Sequence, residues 1–373
     1  MDVKIAFLFK KDSHFKAVHA TALRLCAQYD CQSVFIGIDT DYCPTNHKEI
    51  VYLQRDNLDC LVDYDYVVAC LGGYLLNFVI RRLANTQTKV VSIFPGIVSH
   101  YQLDAFISRF NADQVWLNSR ADLKLYRRLC KLFKNPNNGI LYGMSWLNQD
   151  DYNKSNIVIW QNEEAIFFEQ TEILSSVERK RRFLNTMESI VISNPKITFK
   201  YKIRDNSTDE YFKFVRNHLS QFENVKIVEQ LSSVDKFQAK YYLSISSSAL
   251  IEGIVLGKHS YIVDKELLDR DGKDFYRGSN IELRYSILAD TSTWVNAKWY
   301  KQRIYLPVDN VDLLSVIKKS HLITAKNRGL SSIRLMFFKL AFFFPKIPHL
   351  FLNKPRLTAI QKSLEYLSTK SYE

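Results

Sequence analysis

Between Tyr241 and Asp264 the chain runs YYLSISSSALIEGIVLGKHSYIVD, with Ser246, Ser247 and Ser248 where a β-like stretch gives way to a helix-like one. Serine hydroxyls compete with the backbone for hydrogen bonds, so a cluster of them at such a junction suits the open N–H groups of a starting helix. The same terminus favours an anion, because its N–H groups and dipole direct positive charge outward. Glu252 follows one turn later, one position past capping-box spacing from Ser248. It either complements the helix dipole as a first-turn acid, or stands beside a phosphate and accepts hydrogen bonds from a ribose hydroxyl, which makes the ligand a nucleotide. Upstream, KYKIRD sets Lys200, Lys202 and Arg204 on alternate positions and therefore on one face of a strand. That row either clamps a phosphate near the serine turn or forms the solvated face of an edge strand.

Transfer of a group away from a phosphate needs stabilisation of the leaving charge and a base for the incoming hydroxyl. Lys202, Arg204 and the Ser246–Ser248 turn answer the first need. For the second, candidates follow two apolar runs: Asp12 and His14 after VKIAFLF, and His100 and Asp104 after VVSIFPG. Asp12 and His14 come first, because their loop is expected to open onto a cleft between two domains. Asp12-Ser13 also has the chemistry of a plain helix cap. Phe94-Pro95-Gly96 shapes a tight loop on the same side, and Asp264 either faces the cleft or ends its strand.

The elements that must position these groups alternate along the chain. VKIAFLF (3–9), QSVFIGID (32–39), YDYVVACLG (64–72), TKVVSIFPG (88–96) and ADQVWLNS (112–119) read as buried strands, with helix-length segments such as HFKAVHATALRLCAQY and LLNFVIRRLANT between them. Such alternation predicts parallel strands with crossover helices. After the polar stretch NQDDYNKSN (148–156) the pattern repeats: SNIVIWQ, a helix over 176–193, ITFKYKIRD, a helix over 209–221, VKIVEQ, YYLSIS and SYIVD. The expected organisation is two tandem Rossmann-like domains, 1–150 and 156–310, followed by a helical tail, 311–373. Ligands in such sheets sit outside the carboxyl ends of the strands.

Composition sets the remaining bounds. With 373 residues, 47% of them apolar, the chain is too long for one ordinary core and too hydrophobic for disorder. A formal charge of +12 calls for an anionic partner. The six cysteines, all within the first 130 residues and lacking metal-ligand spacing, read as reduced packing residues. No run approaches the roughly 18 apolar residues of a spanning helix, and the first apolar run is too short for a signal peptide, so a cytoplasmic protein is expected. The tail differs: from Ser331 to Arg356 phenylalanines are interleaved with Arg334, Lys339, Lys346, Lys354 and Arg356, with Lys326 and Arg328 just before. That combination suits either a peripheral segment on an anionic membrane or a helix packed on both domains.

Strand, serine turn, a helix with Glu252 and then GKHSYIVD resemble the donor-nucleotide element of GT-B glycosyltransferases, whose relatives include nucleotide-sugar epimerases and teichoic-acid polymerases. FFEQ…ER…NP…KIR (167–204), SIFPGI…RFNADQVWLNS (92–119) and FYRGS (275–279) resemble, more narrowly, one bacterial glycosyltransferase family of that class. The resemblance implies an enzyme that transfers a sugar from a nucleotide donor to a bacterial surface glycan such as capsule or lipopolysaccharide, by inversion and without a bound metal or other cofactor. Paired serines and a basic strand are similar to those of sialyl- and Kdo-transferases, which inclines the donor toward a CMP-linked acidic sugar. A teichoic-acid-type polyol-phosphate transferase shares the serine turn, but FPGI stands where such polymerases carry a histidine motif. A non-enzymatic binder of nucleic acid or acidic glycan would need aromatics and basic residues interleaved on an exposed face. Here most aromatics lie in strand-like runs, so no nucleic acid partner is expected.

Overall fold

The computed structural model describes residues 3–319 apart from 45–48, 134, 148–162, 171–172, 205–209, 289–294 and 309. The chain divides into two compact units, one of Met1–Leu147 with Gln302–Glu373 and one of Asn148–Lys301.

In the first unit the order is β1 (Val3–Phe9), α1 (Asp12–Gln28), β2 (Cys31–Ile38), β3 (Ile50–Leu53), β4 (Tyr66–Ala69), α2 (Gly73–Arg82), β5 (Lys89–Ser92), α3 (Leu103–Ile107), β6 (Gln114–Leu117), α4 (Arg120–Leu132) and β7 (Gly139–Leu141). The strands form one parallel sheet in the order β3-β2-β1-β4-β5-β6-β7. β1 is central, and all its residues but Lys4 are buried, as a strand covered on both faces by crossover helices requires. Strand order reverses between β1 and β4, so the loops after these two strands diverge and leave a crevice at their carboxyl ends.

The second unit contains β8 (Glu164–Phe168), α5 (Val177–Ser193), β9 (Thr198–Lys202), α6 (Glu210–Leu219), β10 (Val225–Val228), α7 (Ser233–Gln238), β11 (Tyr241–Ser244), α8 (Ala249–Val255), β12 (His259–Ile262), α9 (Arg270–Phe275) and α10 (Ala297–Arg303), at whose end the units divide. Its parallel sheet has the order β10-β9-β8-β11-β12, with the reversal between β8 and β11. Both units are thus doubly wound, as the alternation of runs predicts.

Local differences from the sequence expectation have simple causes. β3 and β7 were not anticipated; each is short, and β3 lies at the sheet edge with no fully buried residue to give it a pattern. β8 comes from EAIFF, and SNIVIWQ falls outside the described residues. β9 is an interior strand paired with both β8 and β10, which removes the edge-strand reading of KYKIRD. Among the cysteines only Cys70 and Cys130 are buried; Cys26, Cys43 and Cys60 are exposed and Cys31 is half-buried, so packing accounts for two of the six.

The chain from Gln302 returns to the first unit as an irregular strap. The backbone N–H groups of Met144 and Val308 donate to the carbonyls of Tyr305 and Tyr142, at 3.0 and 2.9 Å. Arg24, buried on α1, fastens the adjoining loop by donating to Tyr142 Oη (3.0 Å), Ser145 O (2.7 Å) and Leu147 O (2.6 Å). Further on, Lys318 Nζ donates to the carbonyls of Leu83 (2.9 Å) and Thr88 (2.5 Å), and the Lys319 N–H to Asp113 Oδ1 (2.6 Å). Residues 311–319 are therefore strap rather than the helix expected from 311: turn bonds such as Ser315 N–H to Asp312 Oδ1 (3.1 Å) close locally, while Val311, Leu313, Lys318 and Lys319 bond to the first unit. The segment Ser331–Arg356 lies outside the described residues.

Gly143 lets the strap approach. Its φ is +109°, and a Cβ placed there would stand 2.4 Å from the Leu306 carbonyl oxygen. Gly73 also has positive φ (+54°) but faces no atom within 4 Å. Gly143→Ala should lose about 2 kcal/mol or more from strain plus backbone collision, whereas Gly73→Ala carries strain alone. Urea unfolding of both variants checks this, and equal losses would mean that the strap does not lie against Gly143.

Candidate functional site

At the reversal point of the second sheet, the loop after β8 meets the loop after β11. Gln170 Oε1 accepts from the Ser246 N–H (2.6 Å) and Ser244 Oγ (3.0 Å), while its Nε2 donates to Ser246 Oγ (3.4 Å). One amide therefore fixes the start of the serine turn across the reversal. Tyr276 fixes the next residue: its hydroxyl donates to the Ser247 carbonyl (2.9 Å), and its ring lies 6.2 Å from that of Trp299. Burial pushes the Tyr276 phenol far above its ordinary range, so it remains a donor. Ser248 is the N-cap of α8 but makes no side-chain cap; Ser247 Oγ accepts from the Ala249 N–H instead (3.2 Å). Glu252 is half-buried in the first turn of α8.

Beside this turn sits a buried acid that the sequence reasoning did not single out. Glu169, with a side chain fully shielded from solvent, accepts from Tyr201 Oη (3.1 Å), the Arg204 N–H (2.9 Å) and the guanidinium of Arg216. Bonded on both oxygens, it orients the Arg204 backbone just past β9. Of the three basic residues on that strand, Lys200 is occupied elsewhere, 2.7 Å from Glu164 and 2.8 Å from Asp235. Hydrogen bonds from its ammonium hold the Asp235 carboxyl down to about 2. Lys202 is half-buried, its Nζ donating to the Ile203 carbonyl (2.6 Å), and Arg204 is exposed just past the strand. Asp264 is engaged by Arg182 and caps a short helical turn through the Glu266 N–H (2.9 Å), so it ends its strand rather than offering a free carboxylate.

The carboxyl edge of the first sheet is built differently. Arg109, 3% exposed, reaches the ends of β4 and β5. Its guanidinium donates to the carbonyls of Leu71 (2.8 Å), Ile93 (3.3 Å) and Ala105 and lies over the Phe94 ring, 3.9 Å from the centroid. Phe94-Pro95-Gly96 is thus the floor beneath a buried cation, with Ser145 Oγ donating to the Phe94 carbonyl (2.6 Å) and Asn118 Nδ2 to that of Gly96 (2.8 Å). His14, on the first turn of α1, is held neutral: burial first, then the positive charges of Arg109, Lys11 and Lys10, lower it to about 4.

Buried polar atoms without a hydrogen-bond partner gather at this edge. They are His14 Nδ1 after β1, Ser92 Oγ at the end of β5, Asn118 Oδ1 after β6, and Arg109 Nε. Such atoms are uncommon in native interiors, and their concentration at strand ends is what a site completed by a polar ligand looks like. The other first-unit candidates are dispersed. Asp12 is exposed and accepts from Tyr42 Oη (2.9 Å); the N-cap of α1 is Lys11, so Asp12-Ser13 is not its cap. His100 Nε2 lies 3.2 Å from Oδ1 of buried Asp122, which Ser119 fixes at the start of α4. Asp104 lies on α3, half-buried, within electrostatic reach of Arg109. Among the described residues no group of three His, Cys, Asp or Glu is placed to hold a metal ion, and no helix is long and apolar enough to cross a membrane.

A family model described as "Putative glycosyltransferase (DUF6716)" matches residues 47–315. Among solved structures the chain is similar to a "putative UDP-N-acetylglucosamine 2-epimerase" from Listeria monocytogenes, at 10% identity and TM-score 0.55 over 77% of this chain and 85% of that one. It is similar also to UDP-GlcNAc 2-epimerase from Methanocaldococcus jannaschii (11% identity, TM-score 0.52, 76% and 88% of the chains). A third is UDP-GlcNAc 2-epimerase from Neisseria meningitidis bound to UDP-GlcNAc (12% identity, TM-score 0.51, 77% and 88%). At such identities the likeness is one of fold, the GT-B type that the serine-turn element implies. No curated protein matches the chain by sequence.

The suppressed protonation of His14 has a measurable signature. Its folded value of about 4 lies below the unfolded 6.5, so the unfolded chain binds the extra proton between these values and stability falls as pH drops through that window. His14→Gln removes this contribution. Urea midpoints at pH 7 and pH 4.5 should fall less for the variant than for the wild type, and parallel losses would show that the imidazole is solvated.

Proposed function

The chain belongs to the family described as "Putative glycosyltransferase (DUF6716)", and from that premise we propose that it transfers a sugar from a nucleotide-activated donor to a glycan acceptor. The observation that carries this is the serine turn at the reversal point of the second sheet, fastened by Gln170 and Tyr276 beside Lys202 and Arg204. A turn held from both sides presents hydroxyls and N–H groups at fixed positions, which is what a leaving phosphate needs. Glu252 accepts from the ribose hydroxyls. With Lys200 taken by Glu164 and Asp235, the cationic set is smaller than the sequence implied, which favours the single phosphate charge of a CMP-linked acidic sugar over a diphosphate. The solved neighbours are named for UDP-sugars, and UDP is the competing donor.

The first unit supplies the base. The acceptor hydroxyl oxygen attacks the anomeric carbon, the bond to the phosphate oxygen breaks with its electron pair leaving on the nucleotide, and the hydroxyl proton passes to His14 Nδ1. A single displacement of this kind inverts the anomeric centre and needs no metal. His14 suits the role because Nδ1 is buried, neutral and unoccupied by a protein donor. Asp12, two residues earlier, is the carboxylate alternative. His100 stands as a second reading for a specific reason: the buried Asp122 carboxylate beside it would stabilise an imidazolium. Asp104 is placed to balance Arg109. The acceptor is a bacterial surface glycan, and the basic, Phe-rich 331–356 segment holds the enzyme at the inner face of an anionic membrane.

A thermal-shift series of CMP, UDP and GDP with their sugar conjugates should single out one nucleotide, CMP on this reading, since a ligand specific for the folded state raises stability by mass action. Lys202→Ala and Arg204→Ala should each weaken its binding by about tenfold or more. His14→Ala or Asp12→Asn, whichever removes the base, should leave binding intact and lower turnover by about two to four orders of magnitude. A flat nucleotide series would leave only a non-enzymatic role.

Membrane attachment is tested by sedimentation with anionic liposomes. The full-length protein should pellet at low salt and be released at high salt, because each Lys or Arg near the surface contributes roughly 1 kcal/mol that salt screens. Protein that stays in the supernatant at low salt would assign the phenylalanines to packing.

A further inference from the structure

Cys26 lies in the last turn of α1 and Cys31 opens β2, and their sulfurs are 2.8 Å apart. That is inside ordinary sulfur–sulfur contact and within about 1 Å of a disulfide bond length. Packing does not require the arrangement, for Cys26 is exposed and Cys31 only half-buried. The pair brackets the turn that receives the returning C-terminal strap. Within that turn, Gln28 Nε2 and Tyr29 Oη both donate to the Val311 carbonyl (3.0 and 2.6 Å). In return, the Val311 N–H donates to Gln28 Oε1 (3.0 Å) and the Leu313 N–H to Tyr29 Oη (3.0 Å). The strap is thus clasped by two side chains whose backbone ends at the two thiols.

We propose that Cys26 and Cys31 form a reversible disulfide site, oxidised by a low-molecular-weight disulfide, whose closure locks the Gln28–Tyr29 clasp on the strap. The more exposed Cys26 reacts first. Its thiolate attacks one sulfur of the reagent and displaces one thiolate. Cys31 then attacks Cys26 Sγ in the mixed disulfide and displaces the second. Two protein thiols become one disulfide, their two electrons reduce the reagent to two thiols, and their two protons end on those thiols. Closing so short a loop removes the fraying open to the last turn of α1, so Gln28 and Tyr29 lose the motion by which they would release Val311. Exposed, easily reduced disulfides are the kind that regulate rather than merely stabilise.

The test uses the full-length protein with oxidised glutathione, followed by alkylation, peptide mapping and amide exchange. Cys26 and Cys31 should appear as one cross-linked peptide lighter by two hydrogens, whereas exposed Cys43 and Cys60 carry glutathione adducts. Exchange at the Val311 and Leu313 amides should slow by about tenfold and recover on reduction. In Cys31→Ser, Cys26 should keep its adduct and exchange should not slow. Separate adducts on Cys26 and Cys31 without a cross-link would overturn the site. A cross-link that leaves exchange at Val311 and Leu313 unchanged would overturn the lock.

Discussion

The guanidinium of Arg109, sealed beneath the carboxyl edge of the first sheet, is the constraint around which that unit's loops are arranged. A buried cation needs partners for its donors, and both terminal nitrogens find them in backbone carbonyls from separate places: Leu71 after β4, Ile93 after β5, and Ala105 on α3. Each carbonyl must be turned inward, which fixes the course of the loop that carries it. Phe94 then has to lie flat under the charge, and Pro95-Gly96 turns the chain away from it. The neutrality of His14 follows in part from the same charge, since protonation would place a second cation in a region already desolvated.

The second unit meets the same topological requirement by neutral means. Its reversal point is closed by the amide of Gln170 and the hydroxyl of Tyr276, and the charges near it are paired away from the turn: Glu169 with Arg216, Lys200 with Glu164 and Asp235, Arg182 with Asp264. Those ion pairs hold the strands and helices around the turn in register, while the Ser246 N–H is itself held by Gln170 and Ser247 Oγ by the Ala249 N–H. A phosphate placed there would meet a fixed polar surface rather than mobile side chains, which lowers the reorganisation needed as charge develops.

Sequence pattern revealed the architecture because buried parallel strands are apolar runs, as β1 and β4 are, while β9 showed itself by alternation, with Phe199 and Tyr201 buried between half-buried polar residues. It failed at β3 and β7, whose few residues carry little burial pattern, and at β8, where Glu163 and Glu164 precede AIFF and mask the run. The candidate site was legible where residue type alone signals chemistry, as with the serine turn and His14. Residues that act by position were not legible. Gln170 and Arg109 stand inside the FFEQ and RFNADQ segments, but nothing in a lone glutamine shows that it crosses a reversal point, nor in a lone arginine that it ties the ends of β4 and β5. Lys200 misled for the same reason: alternation put it on the right face, and only tertiary contact shows Glu164 and Asp235 on either side of it.

The contrast between the two edges bears on which chemistry each can do. A leaving phosphate gains negative charge, and on the proposed reaction a surface of fixed donors with Lys202 and Arg204 would stabilise that gain without having to neutralise it beforehand. Deprotonation of a hydroxyl makes the opposite demand, for an acceptor that is unprotonated at the outset and becomes positive only as the bond forms. Burial and the cations around His14 meet the first half of that demand and work against the second, so a ligand's own negative charge at the orphaned donors Arg109 Nε and Ser92 Oγ would be needed to stabilise the imidazolium. His100 is the inverse case, with a carboxylate oxygen of Asp122 already 3.2 Å from its Nε2. The two histidines therefore differ in what must supply the counter-charge: the ligand for His14, the protein for His100. On the proposed reaction an anionic acceptor would belong with the first and a neutral one with the second, which would tie the identity of the base to the charge of the acceptor.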